Sequence, residues 1–104
     1  MASSEDRKKV FKSIADKHGR LDVLVVNPAA SVHMGAQLDI TEKAFDKMFE
    51  LNVKSTFFTV ADARPLLLKG KNPNVLITTS VAGFDVPPLI GVYGVTKSAV
   101  NGII

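Results

Sequence analysis

The chain has 104 residues, of which 46% are hydrophobic and 22% are charged, so it is long enough for one small globular domain and too apolar to be disordered. It contains no cysteine, which excludes disulfides and thiolate metal sites, and its two histidines stand apart, so we expect no bound metal. The net charge of +3 comes from residues 1–20, where six basic and three acidic side chains are typical of a solvated helix face. No apolar run in the sequence approaches the roughly 18 residues that a membrane span needs.

The first predicted elements are an amphipathic helix and a strand. Ser3, followed by Glu5 and Asp6, is typical of a helix start, and Gly19 is a plausible stop after a run of apolar residues at helical spacing. The next segment, LDVLVV (21–26), is short and rich in β-branched residues, which predicts a strand buried on both faces of a parallel sheet. A loop of small residues follows it.

The second half of the chain repeats this alternation. Apolar residues at helical spacing predict a long helix from Thr41 until Pro65, which should bend or end it. GKNPN (70–74) is a turn cluster, VLITT (75–79) is the second predicted strand, and a further helix is predicted from about Gly91.

This order of elements predicts an α/β fold with a parallel sheet, because two strands joined by a long helical crossover form a βαβ unit. In such sheets ligands bind beyond the carboxyl ends of the strands. We therefore expect the functional site at the loops that begin at Asn27 and Ser80.

Three side chains near the second of these loops form a candidate catalytic group. Tyr93 and Lys97 are four residues apart, so they share one face of the final helix. An ammonium beside a phenol favours the phenolate form, and such a pair can act as a general acid or base. Ser80 could donate a hydrogen bond to the same substrate oxygen as charge develops on it. These roles fit carbonyl reduction or alcohol oxidation, although the Tyr-x-x-x-Lys spacing alone is also that of an ordinary surface pair.

Four segments in the same order resemble the short-chain dehydrogenase/reductase family. GRLDVLVVNPAA resembles the family's strand with its Asn-Asn-Ala-Gly motif: Asn27 matches the second asparagine and Ala29 the usual glycine, while Val26 and Pro28 depart from the motif. FDKMFELNVKS resembles the helix with the active-site asparagine, which falls on Asn52.

The other two segments match the catalytic residues of the family. NVLITTSVAG resembles the strand that ends in the catalytic serine, which falls on Ser80, and YGVTK matches Tyr-x-x-x-Lys at Tyr93 and Lys97. The resemblance implies hydride transfer between a nicotinamide cofactor and a small-molecule carbonyl or alcohol. Tyr93 would be the acid or base, Lys97 would bind the nicotinamide ribose, Ser80 would hold the substrate oxygen, and Asn52 would seat a water connecting Lys97 to solvent.

The resemblance also implies a cofactor, an assembly and a location. It places four residues at the cofactor: Asn27, Ala29, Tyr93 and Lys97. The VNPAASVHMG and FDK segments resemble the branch of carbonyl and dicarbonyl reductases that prefer NADPH, so NADP is favoured over NAD. The resemblance implies a homo-oligomer, either a dimer or a tetramer. It also implies an intracellular location, in the cytoplasm or in an organelle such as the peroxisome or the mitochondrion.

Two segments of the family are not found in this sequence. The glycine-rich Thr-Gly-x-x-x-Gly-x-Gly loop that binds the cofactor's pyrophosphate is absent, and so are the downstream strands and the substrate lid. We therefore expect residues 1–104 to be one partial Rossmann-like, doubly wound segment from the middle of a longer enzyme, inactive alone, whose two strands expose unpaired edges.

The sequence leaves one alternative function open and disfavours another. A short, catalytically inactive product could instead bind a full-length relative through its two long helices, as a dimerising or interaction partner. Nucleic-acid binding through the basic residues 7–20 is disfavoured because Phe11 is the only aromatic residue among them.

Overall fold

The computed structural model describes residues 3–104, and within them lie four α-helices and a two-stranded parallel sheet, which confirms the predicted α/β fold. In chain order the elements are α1 (Ser4–His18), β1 (Val23–Val26), α2 (Glu42–Phe49), α3 (Ser55–Leu67), β2 (Asn74–Ile77) and α4 (Gly91–Asn101). A π-helical turn, Glu50–Lys54, joins α2 to α3, and short 3₁₀ turns lie at Gln37–Asp39 and Val81–Gly83.

The first helix begins and ends at the residues that the sequence indicated. The Ser3 hydroxyl accepts a hydrogen bond from the Asp6 amide at 3.4 Å, which caps the amino end of α1. Gly19 has a φ of +71°, a left-handed conformation that favours glycine, and its amide donates to carbonyls of the last turn. Local capping chemistry is therefore sufficient to define both ends of α1.

Long-range contacts fix α1 against α3. Phe11 is buried in a small core formed with three apolar residues of α3, Ala63, Leu66 and Leu67. Beside this core, the Arg7 guanidinium contacts the Asp62 carboxylate at 2.8 Å and lies 5.7 Å from the centre of the Phe58 ring. The helix pair thus combines apolar burial with one largely buried ion pair.

The sheet is covered on one face only, within the part of the chain that the structure describes. Leu24 packs against the Phe11 core and Val26 is buried, whereas Val23 and Val25 on the opposite face each remain 59% exposed. Leu76, the register partner of Val25, is similarly exposed. The prediction that the first strand is buried on both faces is wrong for these residues, because the core that α1 and α3 form against β1 lies on its Leu24 face.

The crossover between the strands is not the single helix that the sequence suggested. The π turn interrupts it at Glu50–Lys54, and the Ser55 amide donates to the carbonyl of Glu50, five residues back. Pro65 does not end α3, which continues to Leu67, because a proline so close to the carboxyl end removes only one late backbone hydrogen bond. The widened turn contains Asn52, one of the predicted catalytic residues.

Each strand is shorter than expected and pairs, among residues 3–104, only with the other. Val23 to Val26 align with Asn74 to Ile77 in parallel register, so the carboxyl ends of both strands meet at one edge of the sheet. No helix in the described part of the chain is long and apolar enough to cross a membrane. The two loops that leave this shared edge carry the candidate site.

Candidate active site

Lys97 connects the carboxyl ends of both strands. Its ammonium donates a hydrogen bond to the Pro28 carbonyl at 2.9 Å, in the loop after β1, and another to the Thr78 carbonyl at 3.3 Å, directly after β2. The residue is only 1% exposed. One lysine of α4 therefore holds together the two loops at which the sequence placed the site.

Burial is the dominant electrostatic influence on this lysine. Removal from water disfavours the charged form and lowers the pKa of Lys97 below the ordinary lysine value of 10.5. The two carbonyl oxygens compensate in part by accepting hydrogen bonds from the ammonium. A buried, hydrogen-bonded cation at the end of a parallel sheet is a group suited to binding or to proton chemistry.

Tyr93 lies beside this ammonium, as the four-residue spacing predicts. The Lys97 nitrogen is 5.7 Å from the centre of the half-buried Tyr93 ring. The Tyr93 hydroxyl makes no hydrogen bond to any other residue of the described range 3–104, so it is available to a ligand. The two side chains thus lie together as the spacing predicts, and the catalytic role of Tyr93 stays a prediction.

Ser80 follows β2 and begins the 3₁₀ turn Val81–Gly83. Its oxygen accepts a hydrogen bond from the Ala82 amide at 3.2 Å, and its hydroxyl hydrogen is not donated to another of the residues that the structure describes. That hydrogen can therefore be donated to a substrate oxygen. Ser80 makes no direct hydrogen bond to Tyr93 or Lys97 in this part of the chain, and its catalytic role stays a prediction.

The turn after Ser80 is attached to α4 by polar side chains that the sequence analysis did not single out. The Ser98 hydroxyl donates to the Gly83 carbonyl at 2.8 Å, and the Thr79 hydroxyl donates to the Asn101 side-chain oxygen at 2.6 Å. Small polar residues spaced three apart on one helix, as Ser98 and Asn101 are, were the available signal. They hold the serine-bearing segment against the helix that carries Tyr93.

Asn52 is completely buried at 0% exposure, and its amide faces the first loop. The Ala30 amide donates to its oxygen at 2.9 Å, while its nitrogen donates to the Ala30 carbonyl at 2.9 Å and to the Thr96 hydroxyl at 3.0 Å. Asn52 therefore joins the π turn, the loop after β1 and α4. Its predicted water site is not tested by these contacts and stays a prediction.

Asn27 and Ala29 are exposed at the start of the same loop. The Asn27 side chain forms no hydrogen bond with another residue of the described range 3–104. Pro28 and Ala30, on either side of Ala29, instead contribute backbone atoms to Lys97 and Asn52. The cofactor-binding roles assigned to Asn27 and Ala29 stay predictions.

No group of three or more histidine, cysteine or acidic residues within residues 3–104 is arranged to hold a metal ion. The side chains of Lys97, Tyr93 and Ser80 bring to the site one buried cation and two hydroxyl groups with hydrogens to donate. Such a group can bind an oxygen atom on which negative charge develops and can exchange a proton with it.

The chain is similar to known proteins over nearly its whole length. A family model described as short chain dehydrogenase matches residues 1–104. Tropinone reductase-like 3 of Erythroxylum coca is 35% identical over 103 residues, which are 99% of this chain and 39% of that protein. Dehydrogenase/reductase SDR family member 4 of Mus musculus is 34% identical over 103 residues, which are 99% of this chain and 37% of that protein.

A solved structure is similar over the same range. The structure of ElxO with NADP bound matches with a TM-score of 0.89 and 30% sequence identity, and the match covers 98% of this chain and 41% of that one. The Rossmann-type arrangement of the parallel sheet and its helices is thereby confirmed. The chain spans about two fifths of the length of the curated relatives that it matches.

Proposed function

Because the chain belongs to the short chain dehydrogenase family, we propose that it forms the active-site segment of an NAD(P)(H)-dependent oxidoreductase that interconverts carbonyl and alcohol groups by hydride transfer. One observation carries this proposal. Lys97, buried and bound to the carbonyls at the ends of both strands, lies beside a tyrosine whose hydroxyl is unengaged among residues 3–104. A surface pair of tyrosine and lysine would have neither the burial nor these two long-range hydrogen bonds.

The residues present fit the nicotinamide half of the cofactor. An ammonium has three hydrogens to donate, and Lys97 donates two to Pro28 and Thr78, which leaves one for a ribose hydroxyl. Lys97 and Tyr93 would hold that ribose, with Asn27 and Ala29 along the same loop. When bound, the nicotinamide supplies or accepts the hydride.

The side chains of this chain provide the proton and bind the oxygen. In reduction, the Tyr93 hydroxyl gives its proton to the carbonyl oxygen, and the Ser80 hydroxyl donates a hydrogen bond to the same oxygen as charge develops there. The Lys97 ammonium stabilises the phenolate left on Tyr93. Asn52 would carry a water that returns a proton toward Lys97 from solvent.

Finer features of the enzyme are part of the same proposal. We assign it to the NADPH-preferring carbonyl reductase branch, which is supported by the NADP bound to the ElxO relative. Residues 1–104 would be a central portion of one Rossmann-type domain, inactive without the glycine-rich loop and the substrate lid. The enzyme would act in the cytoplasm or in an organelle such as the peroxisome or mitochondrion.

The test replaces Tyr93 with phenylalanine in the complete enzyme. Tyr93→Phe keeps the ring and deletes the acid, and general acid catalysis typically contributes about 10²–10⁴-fold, so carbonyl reduction should fall by at least that lower figure. NADPH binding, measured by calorimetry, should change little. Val95→Ala, at an exposed position of the same helix, is the control and should leave turnover unchanged. If Tyr93→Phe retained more than about a tenth of the turnover, Tyr93 would not be the acid.

A second candidate function is supported by one surface feature. The outer side of the π turn forms an open cleft of about 600 Å³ lined mainly by apolar and aromatic residues, with both signs of charge at its border: Asp46, Phe49, Glu50, Val53, Lys54, Phe57, Phe58 and Ile103. A second copy of this chain or a full-length relative could bury this surface and pair the opposite charges. Sedimentation of the protein and of a Phe57→Asp variant tests whether this cleft is a subunit interface, since only a dimer held at the cleft would dissociate on the substitution.

A further inference from the structure

We propose that Thr96 is a positioning residue: its hydroxyl, acting through the amide of Asn52, fixes the loop after β1 to α4 and so places the ammonium of Lys97. Thr96 lies directly before Lys97 in α4. This inference rests on the proposed function, because it assigns a role within the same site.

The direction of the Thr96 hydrogen bonds is determined by its neighbours. The hydroxyl is completely buried, and it donates to the carbonyl of Tyr93 at 2.7 Å. Because a hydroxyl has a single hydrogen, the oxygen can only accept toward Asn52, whose side-chain nitrogen donates to it at 3.0 Å. Thr96 therefore requires the nitrogen end of the Asn52 amide to point toward α4.

Ala30 requires the same orientation of that amide. The Ala30 amide hydrogen meets the Asn52 side-chain oxygen at 2.9 Å, and the Ala30 carbonyl accepts from the side-chain nitrogen at 2.9 Å. Rotating the amide by half a turn would set donor against donor and acceptor against acceptor. The three hydrogen bonds of Asn52 thus form one unit, which is complete only when residue 96 offers an acceptor.

This unit runs beside a second link between the same two elements. Lys97 donates to the carbonyl of Pro28 at 2.9 Å, two residues before Ala30. The loop is therefore held to α4 at two adjacent points. Lys97 bonds directly to Pro28, and Thr96 is linked to Ala30 through the side chain of Asn52. If the second point were lost, the Pro28 carbonyl would be free to shift, and the Lys97 ammonium would shift with it relative to Tyr93.

The experiment separates the hydroxyl of Thr96 from its volume. Thr96→Val keeps the shape and removes both hydrogen bonds of the hydroxyl, the one accepted from Asn52 and the one donated to Tyr93. Thr96→Ser keeps both and removes a methyl group, and Thr96→Cys leaves a weak acceptor. Thr59→Val is the matched control, because Thr59 is also buried in a neighbouring helix but its hydroxyl makes no hydrogen bond to another residue of the described range.

Two quantities are measured on the complete protein. The first is the rate of hydrogen exchange at the Ala30 amide. It should rise about tenfold or more in Thr96→Val, because loss of the acceptor at residue 96 loosens the hydrogen bonds between Asn52 and Ala30. The rate should rise less in Thr96→Cys and hardly at all in Thr96→Ser or Thr59→Val. The second is the NADPH-dependent reduction of a panel of aromatic aldehydes and diketones. In Thr96→Val, kcat should fall about tenfold with KM within about threefold, and Thr96→Ser should restore kcat.

The outcomes distinguish this inference from the proposed function. Unchanged Ala30 exchange in Thr96→Val, or equal effects of Thr96→Ser and Thr96→Val on kcat, would overturn the role of the hydroxyl. If Thr96→Val does not fold, the comparison of Thr96→Cys with Thr96→Ser decides in the same way. A third outcome is that exchange at Ala30 is faster in Thr96→Val but the complete protein reduces no carbonyl. That result would support the structural link through Asn52. It would reject the proposed oxidoreductase activity and, with it, the kinetic role of Thr96.

Discussion

Replacement of Lys97 by methionine should lower stability modestly while abolishing most activity. Methionine has a similar length, so little cavity is left, but the carbonyls of Pro28 and Thr78 lose their donor. Hydrogen bonds to a charged group contribute about 1.5–3 kcal/mol each, and the longer bond to Thr78 belongs at the low end, so the two amount to about 4 kcal/mol. Burying the ammonium costs several kcal/mol in the opposite direction, so the expected net loss at neutral pH is about 1–2 kcal/mol.

The pH dependence of this difference gives a second test. Burial lowers the pKa of Lys97 in the folded protein below 10.5, so between the folded and unfolded pKa values the unfolded chain binds more protons at this residue. The penalty for burying the charge is fully present below the folded pKa and is relieved as pH rises through it. The stability of the wild-type protein relative to Lys97→Met should therefore increase as the pH approaches 10.5.

The measurement is urea unfolding followed by circular dichroism, at neutral pH and at a pH of about 10, below the reference value of lysine. Lys69→Met, at an exposed position near the end of α3, is the control and should show little stability change at either pH. A loss above about 4 kcal/mol for Lys97→Met would mean that desolvation does not offset the hydrogen bonds. A difference that narrows with rising pH would refute the assigned direction of the pKa shift.

Two further predictions concern the packing that supports the site. Gly94→Ala should destabilise the protein by about 1–3 kcal/mol, because a Cβ at residue 94 would lie 2.5 Å from a Val86 methyl group and 2.8 Å from the Ala82 carbonyl oxygen. Thermal unfolding measures the loss, and an unchanged Tm would show that the segment with Ala82 and Val86 can move aside. Asp62→Ala should lower the free energy of unfolding by about 2 kcal/mol, less than for a fully buried pair because Asp62 is partly exposed. A urea titration giving a loss below about 0.5 kcal/mol would instead assign this ion pair the small value of a surface contact.

The predicted elements were most accurate where neighbouring residues in the sequence supply the cause. Ser3 and Gly19 define the ends of α1 through hydrogen bonds that span only a few residues. The four-residue separation of Tyr93 and Lys97 places them together on any helix, and the structure has that helix. Such features require no knowledge of what the helix packs against.

The predictions failed where packing partners decide the outcome. The short run LDVLVV, rich in β-branched residues, indicates a buried strand, but whether one or both faces are covered depends on which other elements reach it. The π turn was not predicted because residues 42–67 keep helical spacing on both sides of it. Its effect is to bring the Asn52 amide to Ala30, a contact between residues 22 positions apart.

The sequence by itself determined the α/β class, the order of the elements, the family and the identity of the candidate catalytic side chains, because these depend on local spacing and on motifs of a few residues. Only the tertiary structure decided what those side chains contact. The ammonium of Lys97 binds two backbone carbonyls, and the hydroxyl of Thr96 meets the amide of Asn52, 44 positions away. Backbone carbonyls are present at every residue, so no sequence pattern can indicate which of them a buried lysine will reach. That choice follows from the parallel register of β1 and β2 and from the placement of α4 across their carboxyl ends.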